Sequence, residues 1–345
     1  MNGEYAKTKR RNDELLKEDI RRRRGVFQAN PRILICEPTN RCNLHCGLCA
    51  RNNWDQSLNP PADMSLETLD LLTPFFKSAQ SVYAFGHGEP TMGENFRRII
   101  SRAKECDCQV QFTTNGSRLG EELIDDVIEM DVDVVNVSLD ALEPAASQKR
   151  RGVDSREVLR WLHRVWEKKV AAGKRKPETG VAFTADRYNL GELKNLVDSL
   201  AAVGSSILIV SHLVAWTPEN HFLSAYHTGE DFREAFREAA MKGKAGGINV
   251  ILPFQNLTDG RCPHPMTMFF VRSNGEAWPC CNAVFRQNRY SFPAGNVHES
   301  PLRDIWNSDV YQALRRGWFD DNPPAHCRIC PLANDNLESH LRTLG

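Results

Sequence analysis

Short apolar runs alternate with amphipathic segments along the first two thirds of the chain. The runs, rich in Val, Ile and Phe, predict six strands, at 32–36, 81–85, 109–114, 134–139, 180–184 and 207–212. Segments whose apolar residues recur every three or four positions predict the helices between them, at 65–76, 96–104, 121–129, 156–172 and 192–203. About six such repeats predict parallel strands with crossover helices, in either an open sheet or a complete or partial barrel.

Polar residues of these repeats fall where the strands end. A loop with three cysteines follows the first strand, Gly88 and Glu89 follow the second, Asn115 follows the third, and Ser138 and Asp140 mark the end of the fourth. The carboxyl ends of parallel strands meet at one edge, and α/β enzymes hold their ligands there. We therefore expect the functional site at this edge.

The repeat pattern stops near residue 243. Beyond it, apolar periodicity is weak except for one short predicted helix at 301–317, and five further cysteines appear. A segment with so small a core is typically stabilised by a bound metal. We therefore predict three parts: a basic helical extension at 1–29, an α/β core at 30–245 and a cysteine-rich module at 246–345.

Composition narrows the class of protein. The chain has 345 residues, with 44 Lys and Arg against 44 Asp and Glu, so its net charge favours neither nucleic acid nor a membrane surface. The basic run at 21–24 has no interleaved aromatic residues, so we expect no nucleic-acid partner. Without a signal peptide or a long apolar run, we expect a cytoplasmic location and no membrane partner. There the eleven cysteines are expected to be metal ligands or free thiols.

The first cysteine set comprises Cys42, Cys46 and Cys49, three thiols within eight residues. Thiolates at short spacing select zinc, copper(I) or an iron–sulfur cluster. A closed zinc site needs four ligands, whereas a cubane cluster held by three cysteines leaves one iron open. The spacing alone leaves both alternatives.

The combined motifs resemble the radical S-adenosylmethionine (radical SAM) superfamily. Cys42-x3-Cys46-x2-Cys49 matches its signature, and Gly88-Glu89-Pro90, Thr114-Asn115-Gly116 and Ser138-Leu139-Asp140 follow in its order. The C-terminal part resembles the SPASM or truncated twitch extension through Cys262, Gly275-x4-Cys280 and Cys327-x2-Cys330. The resemblance implies an α/β fold, a partial (β/α)6 barrel of the TIM type, with a small cysteine-rich SPASM/twitch module.

The resemblance also implies the cofactors. The first cysteine set is implied to hold a [4Fe–4S] cluster whose open iron binds SAM, and its reduction is implied to cleave SAM to a 5′-deoxyadenosyl radical that abstracts a substrate hydrogen. A second set is implied to hold an auxiliary [4Fe–4S] cluster, although its spacing also suits zinc. This second cysteine set comprises Cys262, Cys280, Cys327 and Cys330. Cys281 is an alternative to Cys280.

Six residues are implied to contact SAM: Gly88, Glu89, Asn115, Ser138, Asp140 and Arg151. The backbone at 88–89 is implied to receive the SAM ammonium, and the polar groups at 138, 140 and 151 its ribose or carboxylate. Each also has a structural alternative. Asn115 suits a turn, Ser138 and Asp140 suit a helix cap, and Arg151 suits a solvated run of charge.

The resemblance predicts a radical SAM enzyme but no specific substrate. Only about thirty residues precede the first strand, which leaves no room for an independent leader-binding domain, so we expect a small metabolite that is oxidised, dehydrogenated or epimerised. The alternatives are a maturase of ribosomal peptides and, in another class, a non-catalytic zinc- or cluster-stabilised binding module. Asp186 and His212 are positional candidates for a catalytic base. Flavodoxin or ferredoxin is the expected electron donor.

Overall fold

The computed structural model describes residues 4–53, 57, 59–215, 217–228, 230–253, 262–280, 293–324 and 327. The chain divides into two compact units. Unit 1 comprises Met1–Cys42, Trp54–Phe112 and Arg261–Cys330, and unit 2 comprises Asn43–Asn53, Thr113–Gly260 and Pro331–Gly345. This division does not test the predicted domain bounds, which stay a prediction.

The strands are β1 (Ile33–Cys36), β2 (Ser81–Tyr83), β3 (Gln109–Thr114), β4 (Val134–Ser138), β5 (Glu178–Ala185), β6 (Ile207–His212), β7 (Asn249–Ile251), β8 (Met268–Val271), β9 (Glu276–Trp278) and β10 (Gly295–Asn296). The helices are α1 (Ala6–Arg21), α2 (Leu66–Phe76), α3 (Phe96–Glu105), α4 (Glu121–Glu129), α5 (Pro144–Arg151), α6 (Ser155–Ala171), α7 (Leu193–Ala202), α8 (Ala225–Thr228), α9 (Arg233–Gly246), α10 (His264–Thr267), α11 (Leu302–Trp306) and α12 (Asp309–Phe319).

The sheet of unit 1 has the order β10-β9-β8-β1-β2-β3. β1 pairs in parallel with both β2 and β8, which places Ile35 opposite Tyr83 and Phe270. β8, β9 and β10 then form antiparallel pairs. Ile35, Phe270 and Trp278 form a buried cluster, which explains why β1 is apolar throughout.

The sheet of unit 2 has the order β4-β5-β6-β7, and all of its strands are parallel. Helix α6 packs on β5, and α9 packs on both β7 and α7. The carboxyl ends of β4, β5 and β6 therefore lie at one edge of this sheet.

The predicted α/β fold class with a partial barrel is confirmed. Each of the six predicted strands is present, with ends that differ by at most two residues. In neither unit does the described part of the sheet close on itself. No helix among the described residues is both long and apolar enough to span a membrane.

The prediction of a single helix at 301–317 is wrong, because this stretch contains two helices, α11 and α12. Asn307 ends α11 with a non-helical backbone. Its side-chain oxygen accepts from the N–H of Phe27 at 2.7 Å, and its amide nitrogen donates to the Phe27 carbonyl at 3.1 Å. The helix therefore breaks where a side chain is needed to hold another segment of unit 1.

Helix α1 is part of unit 1 rather than a free arm. Lys9 lies on its buried side and donates to the carbonyl of Ala79 and to Cys108 Sγ. Buried Asn12 bonds both the N–H and the carbonyl of Asn30, at 2.8 and 3.1 Å. Buried Asp19 accepts from the N–H groups of residues 28 and 29, at 2.7 and 2.8 Å. The helix is thus docked by polar side chains that satisfy backbone groups.

Candidate active site

Two cysteines of the first set line a cavity of about 600 Å³ in unit 2. Cys46 and Cys49 form one wall together with Gly47 and Leu48, and the rest comes from the carboxyl ends of β4, β5 and β6, from α5 and from the turn Pro218–Leu223. In unit 2, the sheet edge at which we expect the functional site therefore has a cavity beside the thiols of Cys46 and Cys49. Cys42, the third cysteine of this set, belongs to unit 1.

The loop that carries Cys46 and Cys49 is held by its own backbone. The N–H of Cys49 donates to the Cys46 carbonyl at 3.0 Å, and the Asn52 side chain donates to the same carbonyl at 2.9 Å. Cys46 Sγ contacts the carbonyl of Arg151 at 3.7 Å. These contacts fix the two thiols at the C-terminal end of α5.

Helix α5 brings three basic residues, at 149–151, to the cavity. Its N-terminus is capped by Glu143, and it ends at Gly152 in the left-handed conformation. Basic residues are favoured in the last turn of a helix because they face the negative end of its dipole. Lys149 is exposed and lines the cavity, and the structure gives it no ion-pair partner among the described residues.

Arg151 pairs with Asp140 beside the cysteines. Its Nη1 lies 2.5 Å from Asp140 Oδ2, and Asp140 Oδ1 accepts from the N–H of Thr184 at 2.8 Å. Burial alone would lower the pKa of Arg151, but Asp140 and Cys46 outweigh it and raise that pKa. Its buried Nε has no hydrogen-bond partner in the described part of the chain. This atom is thus available to an acceptor on a ligand.

A second pair, Arg150 with Asp186, lines the same cavity. Arg150 donates to Asp186 Oδ2 at 2.5 Å and to Oδ1 at 3.2 Å, and these bonds raise its pKa. Asp186 also accepts from the N–H groups of Tyr188 and Asn189, at 2.8 and 3.2 Å. Asp186 therefore holds Arg150 at the cavity wall and is itself held by two backbone N–H groups, and its role as a base stays a prediction.

His212, the other predicted base, ends β6 among aromatic rings. Its imidazole packs against Phe232 and Phe236, with ring centroids 5.8 and 5.1 Å away. Burial lowers the pKa of His212 to about 4. The neighbouring Leu213 lines the 600 Å³ cavity, whereas His212 is not among its lining residues. A catalytic role for His212 stays a prediction.

The two remaining predicted residues of unit 2 have different surroundings. Asn115 forms a turn in which its side-chain oxygen accepts from the N–H and the hydroxyl of Ser117, at 2.8 and 2.6 Å. Its amide nitrogen donates to Asn43 at 3.2 Å, which ties this turn to the cysteine loop. Ser138 is the last residue of β4. Their predicted contacts with SAM stay predictions.

Gly88 and Glu89 belong to unit 1. A Cβ on Gly88 would lie 2.3 Å from the Thr39 carbonyl oxygen and 2.4 Å from that of Arg41. The glycine is therefore required by the close approach of the chain's own backbone. Glu89 is buried, its N–H donates to the Arg41 carbonyl at 2.8 Å, and its carboxylate accepts from Thr91 Oγ1 at 2.7 Å.

The second cysteine set is described in part. Cys262 and Cys280 lie in unit 1, and the His264 side chain hydrogen-bonds to both. Burial alone would raise the pKa of Cys262, but His264 outweighs it and lowers that pKa. Cys327 is also described, whereas Cys281 and Cys330 lie outside the described residues.

Two family models match different parts of the chain. The model of the radical SAM superfamily matches residues 36–174, and that of SPASM, an iron–sulfur cluster-binding domain, matches residues 262–331. The chain is a radical SAM enzyme with a SPASM domain. The non-catalytic binding module is therefore not supported.

Two curated relatives match most of the chain. A tungsten-containing aldehyde ferredoxin oxidoreductase cofactor-modifying protein of Pyrococcus furiosus is 29% identical over 297 residues, covering 82% of each protein. The PqqA peptide cyclase of Streptomyces rochei is 26% identical over 319 residues, covering 87% of this chain and 82% of the relative.

Solved structures share the fold. Streptococcus suis SuiB bound to precursor peptide SuiA has a TM-score of 0.66 at 15% identity, with 89% of this chain and 71% of that chain covered. Native anSMEcpe with bound AdoMet and the Kp18Cys peptide has a TM-score of 0.61 at 16% identity, with 86% and 90% covered.

The radical SAM and SPASM domains bind [4Fe–4S] clusters and SAM. In unit 2 the donor chemistry fits, since Cys46 and Cys49 line a cavity beside an arginine whose Nε lacks an acceptor. Within the described ranges, no three His, Cys or carboxylate side chains are already gathered around one point. The complete ligand sets, including Cys42 and Cys330, stay predictions.

Sequence reasoning missed one residue beside each cysteine set, namely Asn189 in unit 2 and His264 in unit 1. Asn189 is fully buried and donates to the carbonyls of Asp140 and Thr184, at 3.0 and 2.8 Å. It thereby joins the carboxyl ends of β4 and β5. Nothing local marks it, whereas the Cys-Pro-His run at 262–264 was a visible signal.

Proposed function

We propose that this radical SAM enzyme modifies a peptide, as a maturase, rather than a free small metabolite. The observation that carries the proposal is the similarity to a PqqA peptide cyclase across 87% of the chain. When bound, the cluster and SAM supply the 5′-deoxyadenosyl radical, and the residues of the chain bind, orient and shield the substrate.

The cavity of unit 2 supports a peptide substrate. Tyr188 lines it, is 68% exposed and contacts Phe222, which is 48% exposed, with ring centroids 6.3 Å apart. Exposed aromatic rings beside a cavity are typical of surfaces that bind peptide side chains. The exposed ammonium of Lys149 adds a positive charge that attracts a carboxylate.

The small metabolite expected from the short segment before β1 has less support than this peptide. Both curated relatives above are named for the modification of a cofactor or a peptide. A low-potential donor such as flavodoxin or ferredoxin supplies the electron in this proposal, and the cytoplasmic location stays a prediction.

The test uses the full chain, reconstituted anaerobically and supplied with SAM and dithionite. Synthetic peptides encoded beside the gene are compared with sugars and nucleosides, and products are followed by mass spectrometry together with 5′-deoxyadenosine. We expect a peptide to raise 5′-deoxyadenosine formation, to transfer one of its hydrogen atoms to 5′-deoxyadenosine and to be recovered as a modified product. Modification of a sugar or nucleoside without any modified peptide would refute the proposal.

A matched pair of variants tests the aromatic surface. Tyr188→Ala should raise the KM for the peptide about tenfold without changing the KM for SAM. Met241→Ala removes another exposed apolar side chain, on α9, and should change neither. Equal effects of both variants would argue against a peptide bound at Tyr188.

A further inference from the structure

Glu37, the residue that follows β1, is fully buried and joins two other segments of unit 1. Its Oε1 accepts from the N–H and from Nδ1 of His87, both at 2.8 Å. Its Oε2 accepts from the N–H of Ser273 at 3.1 Å and from the Ser273 hydroxyl at 3.2 Å. One carboxylate thus receives four hydrogen bonds from two loops.

This carboxylate is ionised at neutral pH. Burial alone would raise the pKa of Glu37, but His87 and Arg272 lower it to about 2. Arg272 Nε lies 3.8 Å from Glu37 Oε2, and its Nη1 pairs with Glu276 at 2.8 Å. Charge-assisted hydrogen bonds in a buried site are strong, and losing one acceptor leaves a buried donor unsatisfied.

The first segment held by Glu37 is the loop Gly86–Glu89. A Cβ on Gly86 would lie 2.4 Å from Glu37 Cγ, just as a Cβ on Gly88 would meet the backbone at 39–41. The loop is therefore pressed along the stretch that leads from β1 to Cys42. His87 also packs edge-on against Phe270 of β8, with ring centroids 5.4 Å apart.

The second segment is the hairpin of β8 and β9. Ser273 lies in the turn between them, and β9 leads directly to Cys280. The contacts of Glu37 therefore join the loop of Gly88 and Glu89 to the hairpin that leads to a cysteine of the second set.

We propose that Glu37 is a positioning residue that holds the Gly86–Glu89 loop and the β8–β9 hairpin in one arrangement, so that the two segments do not move independently. The proposal rests on the predicted roles of Gly88, Glu89 and Cys280. Neither the substrate nor the peptide maturase function enters it.

The test is Glu37→Gln in the full chain with both clusters reconstituted. The glutamine amide cannot accept on both sides, so one of the two segments loses its acceptor. We expect the KM for SAM to rise about tenfold, while kcat for 5′-deoxyadenosine formation without peptide changes less than about threefold. Amide hydrogen exchange should accelerate both at 86–91 and at 272–280.

Glu276→Gln is the matched control, because it removes the negative charge that pairs with Arg272 but none of the four hydrogen bonds to Glu37. It should leave the KM for SAM and the exchange at 86–91 unchanged. If Glu37→Gln fails to fold, Ser273→Ala replaces it. That variant loses only the hydroxyl bond and should still accelerate exchange in both segments.

A lower melting temperature with an unchanged KM for SAM would overturn the proposal, because it is what a purely structural role predicts. Faster exchange confined to one of the two segments would also overturn it. SAM cleavage is measured without peptide, so failure of the peptide proposal leaves this test intact.

Discussion

The two units use buried carboxylates at strand ends in opposite ways. In unit 1, Glu37 is completely enclosed, and all four of its hydrogen bonds come from other parts of the chain. In unit 2, Asp140 and Asp186 pair with Arg151 and Arg150 in the wall of a cavity. The enclosed carboxylate is thus bonded to two loops of unit 1, whereas each of the two cavity carboxylates holds an arginine side chain at the wall of a cavity.

The largest effect should come from the cavity thiols. We expect Cys46→Ala to lower 5′-deoxyadenosine formation at least about 100-fold and iron from about eight to about four atoms per chain, since a cluster that loses a thiolate ligand is not retained. Cys106→Ala, a buried cysteine of unit 1 outside both sets, is the control and should keep full iron. Full iron in Cys46→Ala would mean that this cavity is not the cluster site.

The second largest effect should come from the loop Gly86–Glu89 of unit 1. Gly88→Ala places a methyl group against two carbonyl oxygens and must displace the loop, so SAM binding should weaken about 10-fold or more. In unit 2, a Cβ on Gly120, which precedes α4 and lies outside the cavity wall, would meet no atom within 4 Å, so Gly120→Ala should bind SAM normally. Binding is measured through the change that SAM causes in the spectrum of the reduced cluster. Normal SAM binding by Gly88→Ala would contradict the expectation that the tightly packed loop of unit 1 must keep its position for SAM to bind.

The third effect distinguishes Arg151, which we expect to contact SAM, from the adjacent Arg150, which we do not. Arg151→Gln should raise the KM for SAM about tenfold, because its Nε is the buried donor without a partner. Arg150→Gln leaves its neighbour in place and should change that KM less than about threefold. SAM titrations of 5′-deoxyadenosine formation give both values. The reverse order of effects would assign the SAM contact to Arg150.

The smallest effect concerns His212, which lies in unit 2 but is packed among phenylalanines. Its folded pKa of about 4 is below the ordinary value, so the unfolded chain binds the extra proton first and stability falls as pH drops below about 6.5. Between pH 7.5 and 5 this loss should be roughly 2 kcal/mol. His212→Phe should remove it while keeping SAM cleavage, as measured by denaturant unfolding at each pH. An unchanged pH slope in the variant would show that His212 does not behave as an enclosed group.

The sequence predicted the elements whose apolar pattern is local. Strands β1 to β6 were found because buried parallel strands are continuous apolar runs. Helix α5 was missed because its eight residues are mostly polar and only Ser147 is buried. The break at Asn307 was missed as well, since it depends on a contact with Phe27, which is distant in the chain.

The same limit applies to the site. Cys46, Cys49, Asp140 and Arg151 were predicted from motifs, and the structure gathers them around one cavity. The pairing of Arg150 with Asp186 joins residues 36 positions apart, and the four hydrogen bonds to Glu37 come from segments 50 and 236 positions away. No local spacing encodes such contacts, because only the packed fold brings these groups together.

Helix α1 has a practical consequence for protein engineering. A chain shortened to begin after Arg21 would lose Asn12 and Asp19, so the backbone groups of residues 28–30 would lose these partners, among them the buried N–H of Ala29. Each buried group left without a partner costs about 1–3 kcal/mol. Affinity tags and fusion partners therefore belong ahead of this helix, not in its place.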